Sequence, residues 1–140
     1  MRKALFATLA FTAAVAFAGQ AGAADALKAT LDGKSEVPAT TSGGSGKAEL
    51  SYDAASKKLT WTVTYSGLSG PATAAHFHGP AEAGKNAGVA VAIPNAATSP
   101  VKGEATLTDA QAADLLAGKL YINIHTAANP GGEIRGQVMK

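Results

Sequence analysis

The sequence predicts an all-β protein, an eight-stranded Greek-key barrel or sandwich with one short helix, and three observations carry that expectation. Residues 57–65, KKLTWTVTY, alternate strictly: Leu59, Trp61, Val63 and Tyr65 fall on one side and Thr60, Thr62 and Thr64 on the other, the pattern of a half-buried strand. Seven similar short runs are each bounded by clusters of Gly, Pro, Asn or Ser. Eight short strands in one small domain fit a sandwich or Greek-key barrel.

Before the first strand stands a leader. Met1-Arg2-Lys3 is a short basic head, Ala4 to Ala18 is apolar and uncharged, and Ala21-Gly22-Ala23 is a small-residue cleavage site, so residues 1–23 read as a secretory signal peptide and 24–140 as one exported domain, periplasmic or secreted. The apolar run is shorter than the ~20 residues a membrane-spanning helix needs, and no later stretch is longer, so no membrane contact is expected after cleavage.

The strands follow in order. ALKATLD (26–32), KAELSYD (47–53) and the alternating 57–65 come first, with TTSGGSGK (40–47) as a flexible loop between the first two. TAAHFHG (73–79), GVAVAI (88–93) and VKGEATL (101–107) come next, and GPAEAGKNAGVAV reads as a Gly-rich crossover that could wall a site. The helix is TDAQAADLLA, where Thr108 and Gln111 make a capping box and Gly118 suits a left-handed stop; it is expected to cap one end of the barrel. KLYINIH (119–125) and GEIRGQV (132–138) close the chain, joined by a turn in which Pro130 sets φ and Gly131 supplies a positive φ.

Composition excludes several functions. The formal charge of +2 belongs to Arg2 and Lys3, so the exported part is neutral overall and has no basic patch for nucleic acid. With no cysteine, neither disulfides nor thiolate chemistry is available. The Gly-rich loop lacks the spacing of a phosphate loop, and neither a Ser-His-Asp set on a nucleophile turn nor a marked carboxylate pair is present. Nothing in the sequence specifies an oligomeric state or a metal-delivery partner.

What remains is histidine. The sequence has 3, His76, His78 and His125. In AHFHGP, His76 and His78 share one strand face and Phe77 takes the core face, with Cβ atoms about 6–7 Å apart given the rise of a strand. Two such imidazoles can chelate one metal, and a third from a nearby strand completes the site. The same alternation sends Ile122, Ile124, Ile134 and Val138 inward, and Tyr121, Asn123, His125, Glu133, Arg135 and Gln137 outward. Taken singly, each outward histidine reads as solvated, and Arg135 as the partner of Glu133 or Glu82 in a surface salt bridge. As direct or diagonal neighbours on adjacent strands, Arg135 and His125 would lie within roughly 5–8 Å, and beside a metal Arg135 would attract small anions. Imidazole suits both copper and zinc, and intrinsic affinity favours Cu(II), so one copper ion is the expected cofactor.

From 26 to 138 the chain resembles the CHRD domain, the module named after chordin, through AHFHGPAEAGKNAGVAV, LTDAQAADLLAGKLYINIHT and NPGGEIRGQV. That resemblance implies a fold and no particular activity. A second resemblance, to copper/zinc superoxide dismutases, rests on the H-x-H pair, a later histidine and an arginine beyond it, which His76, His78, His125 and Arg135 match in order. It implies an eight-stranded barrel with histidine-bound copper and superoxide as the small-anion substrate. The sequence departs from that family in lacking a disulfide, a bridging histidine and a zinc loop, so the likeness implies a copper-only, three-histidine site. A copper-buffering protein without turnover has the same ligands; a zinc hydrolase would need a proton shuttle, for which the sequence offers no candidate, and a metal-free structural domain would need none of them.

Overall fold

Alternation dictates the strands, and all eight form in the computed structural model, which describes residues 22–140. They are β1 (Asp25–Asp32), β2 (Ser45–Asp53), β3 (Lys58–Ser66), β4 (Ala72–His78), β5 (Val89–Ile93), β6 (Val101–Thr106), β7 (Tyr121–Thr126) and β8 (Ile134–Gln137), with α1 (Asp109–Leu116) before β7. Of the expected leader, all but the last two residues lie outside the described residues. No helix among the described residues is long and apolar enough to cross a membrane.

All strand pairs are antiparallel, in the order β5-β4-β7-β8-β1-β2-β3-β6. The terminal strands of that order, β5 and β6, approach each other without a ladder, so the sheet curls into a nearly closed barrel. β1, β2 and β3 form a meander; β3 then pairs with β6, and β4 with β7, across connections that skip neighbours, as in a Greek key. β4 and β5 are antiparallel neighbours, so GPAEAGKNAGVAV is the long end of a hairpin and the crossover reading is corrected.

One face of each strand fills the barrel. Leu31, Leu59, Phe77, Ile122 and Ile134 are fully buried, each worth about 1.5–3 kcal/mol relative to exposure. Trp61 meets Phe77 edge-on with ring centroids 5.2 Å apart. Its cross-strand partner is Gly103, where an added Cβ would lie 2.6 Å from the indole. Tyr65, expected to share this face, is only partly buried at the strand end. The capping box forms as expected, with Gln111 N–H donating to the Thr108 hydroxyl at 3.1 Å and Thr108 N–H to the Gln111 side chain at 2.9 Å. Ala112 and Leu115 carry α1 onto the core, and Gly118 follows at φ +74°.

The outer face of β7 and β8 departs from the expected solvated surface. Tyr121, Asn123, Glu133 and Arg135 are all buried, because the β1–β2 and β4–β5 connections fold over them. Beside β1, Gly136 lies so close to Thr30 that an added Cβ would sit 2.7 Å from the Thr30 carbonyl carbon. The segment expected as a flexible loop is anchored there too, through Thr40 Oγ1 to the Glu133 carbonyl at 2.7 Å and Ser42 Oγ to the Glu133 carboxylate at 2.9 Å.

Candidate metal centre

Strand register assembles the site. Phe77 is in the core, so His76 and His78 point outward from β4; β7 sets Asn123 opposite His76, Tyr121 opposite His78 and His125 opposite Ala74. His125 therefore shares the outer face with the pair. One ring nitrogen from each of the three histidines lies within 4.8 Å of the others. Ring centroids are 5.0 Å apart for His76 and His125, 5.5 Å for His76 and His78, and 6.3 Å for His78 and His125.

Backbone carbonyls decide which nitrogens face inward. His78 Nδ1 bonds the Ala87 carbonyl at 2.9 Å, and His125 Nδ1 bonds the Pro130 carbonyl at 2.8 Å, so each ring keeps its proton there and turns a bare Nε2 to the cluster. His76 presents Nδ1, which lies 3.1 Å from His125 Nε2. His78 Nε2 is buried and has no hydrogen-bond partner. Metal–nitrogen bonds of about 2.0–2.1 Å place ligand nitrogens about 3.3–3.6 Å apart, so the three need only small adjustments to hold one ion. A buried lone pair without a partner, aimed at two other imidazole nitrogens, fits a metal and leaves a polar defect otherwise.

Electrostatics favours the ligating form. Burial, and then the charges that His125 and His78 would carry, push the His76 pKa below its ordinary value. Burial likewise lowers His78, against smaller opposing contributions from the Ala87 carbonyl and the Asn123 side chain. His78 is buried while His76 and His125 are half-buried, so the cluster is closed from below and open to solvent on the His76 and His125 side.

Arg135 pairs directly with Asn123 and so sits diagonal to His125 in the sheet. The surface salt bridge does not form. Arg135 is 2 % exposed; its guanidinium donates to Asn86 Oδ1 at 2.9 Å and to the Lys85 carbonyl, and its Cζ lies 3.4 Å from the centre of the Tyr121 ring. Tyr121 stacks on His78 at 5.0 Å, and its hydroxyl accepts from Ala87 N–H at 3.1 Å. The hairpin segment 85–87 thus walls the site, as expected: Arg135 holds Lys85 and Asn86, Tyr121 holds Ala87, and the Ala87 carbonyl orients His78.

Sequence reasoning missed the roles of two buried residues here. Asn123 is 3 % exposed, with Oδ1 2.9 Å from His125 Nε2 and Nδ2 3.4 Å from the Gly131 carbonyl. Glu36, from the β1–β2 connection, is 6 % exposed with Oε1 unpartnered; burial raises its pKa, opposed by the charge of Arg135 and by Asn123. Both crowd Gly132, where an added Cβ would clash with the Glu36 carboxylate and lie 2.6 Å from Asn123 Nδ2. Gly132, at φ +125°, is the positive-φ residue of this turn; Gly131, expected in that role, is not. Outward polarity signals such residues, but nothing in the strand pattern shows that loops will bury them.

Together these features define a small β-barrel with a trihistidine centre under an anchored hairpin. The family model of the CHRD domain matches residues 27–138, and the chain belongs to that family. No curated protein and no solved structure matches the chain.

Proposed function

We propose that the chain is an exported copper-binding protein whose His76, His78 and His125 hold one ion, and that it dismutates superoxide. The observation that supports this most is the buried, unpartnered Nε2 of His78 facing Nδ1 of His76 and Nε2 of His125. Imidazole nitrogens without thiolate or carboxylate favour copper among the divalent ions available outside the cytoplasm. Two superoxide anions and two protons become dioxygen and hydrogen peroxide through the one-electron couple that copper supplies when bound.

The chain's own residues do the rest. Ala87 and Pro130 fix two ring tautomers, and the half-buried side between His76 and His125 admits a small anion. Arg135 contributes a fixed positive charge on the strand next to Asn123, which raises the local concentration of small anions most at low salt. A copper-buffering role without turnover is the second reading. It is favoured by the engagement of the guanidinium with Asn86, Lys85 and Tyr121, which keeps it from moving toward a bound anion.

The test is to load metal-free protein with copper and measure stoichiometry, electron paramagnetic resonance and superoxide consumption. Under the enzyme reading one copper binds with histidine nitrogen coupling; His76→Ala and His125→Ala lose metal and activity together, and Arg135→Ala keeps copper but loses rate and salt dependence. Tight copper without turnover supports the buffer. Wild-type protein that takes up no copper overturns both.

A further inference from the structure

Asn123 lies at the middle of the ligand face. It is directly opposite His76 on β4 and Arg135 on β8, and two residues from His125 along β7. It is more deeply buried than either of the half-buried histidines beside it, so its amide forms the floor of the cluster.

The amide turns an acceptor toward an acceptor. Asn123 Oδ1 stands 2.9 Å from His125 Nε2, the nitrogen left bare when the ring proton is held by the Pro130 carbonyl at 2.8 Å. Two lone pairs at that distance repel unless a proton or cation lies against both. Rotating the amide gives no relief, because its nitrogen side faces the Gly131 carbonyl and the crowded approach to the Glu36 carboxylate, both acceptors. The acceptors behind Asn123 therefore force its oxygen toward the three imidazoles.

Resting on the copper site proposed above, we infer that Asn123 Oδ1 is a fourth ligand to the ion held by His76, His78 and His125, and that Glu36 is a positioning residue that keeps the amide turned toward it. An amide oxygen is a harder donor than imidazole and interacts more strongly with Cu(II) than with Cu(I). The floor donor thus biases the site toward the oxidised ion while the solvent side stays open.

The experiment compares wild type with Asn123→Leu, which keeps the branching at Cγ and removes the oxygen, and with Glu36→Gln, in which an amide N–H is placed near that of Asn123. Each is loaded with copper, and Cu(II) spectra and affinities for Cu(II) and Cu(I) are measured by chelator competition. Asn123→Leu is expected to weaken Cu(II) binding at least roughly tenfold with little change for Cu(I), and to alter the Cu(II) hyperfine splitting; Glu36→Gln acts in the same direction, more weakly. Should Asn123→Leu fail to fold, wild-type protein carrying 13Cγ-asparagine is titrated with Zn(II): the Asn123 resonance should move more than those of Asn86, Asn95 and Asn129. Superimposable spectra and equal affinities, or an unmoved Asn123 resonance, overturn this inference and leave the trihistidine site standing. Absence of metal uptake by the wild type overturns both together.

Discussion

Glu133 offers a test of how the outer face of β7 and β8 is held. Its carboxylate is fully buried with no salt-bridge partner among the described residues, yet it accepts from the hydroxyl and backbone N–H of Ser69, the hydroxyls of Thr126 and Ser42, and the Asn129 amide. Burial alone would raise its pKa; these donors outweigh burial and hold it at about 2, against an ordinary value of 4.5. At about 1.4 kcal/mol per unit, that difference corresponds to at most about 3 kcal/mol, and about 2 kcal/mol is expected once the donors re-pair in part with a neutral side chain. The folded-state pKa is depressed, so this stability is fully present above pH 4.5 and is lost as pH falls toward 2. Glu133→Gln should therefore lower stability at pH 7 by about 2 kcal/mol, a drop of roughly 6–10 °C in Tm for a domain of this size. Urea unfolding of both proteins from pH 7 to pH 2.5 checks it. The gap between them should shrink to a small fraction at the acid end; a gap that stays constant with pH would refute a charge held by neutral donors.

Other outcomes follow from single contacts. Gly103→Ala should cost about 1–3 kcal/mol by pressing a methyl group into the Trp61 ring, read as a lower Tm with altered near-ultraviolet dichroism. Gly132→Ala, at φ +125° and against Glu36 and Asn123, should destabilise the fold by about 1–3 kcal/mol and also reduce copper stoichiometry, measured on protein still folded at the loading temperature. Because His76 and His78 are held below the ordinary 6.5, the unfolded chain takes up protons first as pH falls. Metal-free protein should thus lose stability from about pH 6.5 downward until the folded-state values are passed, and a Tm that is level between pH 7 and 5.5 would count against it.

Most of the architecture was legible because it depends on local alternation. Leu59, Trp61 and Val63 announce β3, and Thr108 with Gln111 announces the start of α1, without any knowledge of what packs where. The inward and outward faces of β4, β7 and β8 are also local, which is why three histidines scattered along the chain could be assigned to one kind of surface. What period-2 reasoning cannot supply is a second layer. Arg135 and Glu133 look like surface residues because their neighbours in sequence are apolar and face the barrel, yet Asn86, Lys85, Ser42 and Ser69 reach them from elsewhere in the chain. The same limit hid Glu36, which sits in an irregular connection and meets Asn123 only once the turn at Gly132 is formed.

That second layer divides the work of the site. The three histidines stand on paired strands whose register is set by a hydrophobic core, so their spacing does not depend on the loops. Ring tautomer and orientation do depend on them, through Ala87 in one connection and Pro130 in another. Ala87 is fixed in turn by Tyr121, and the two residues before it by Arg135, so an arginine expected to form a surface salt bridge or to attract an anion also orients His78. Arg135→Lys separates the two contributions, since it keeps the charge and loses the forked grip on Lys85 and Asn86. If anion attraction dominates, the substitution preserves most of the rate. If the grip dominates, it shifts the copper spectrum, and Asn86→Ala, which removes one of the two contacts and no charge, shifts it in the same sense.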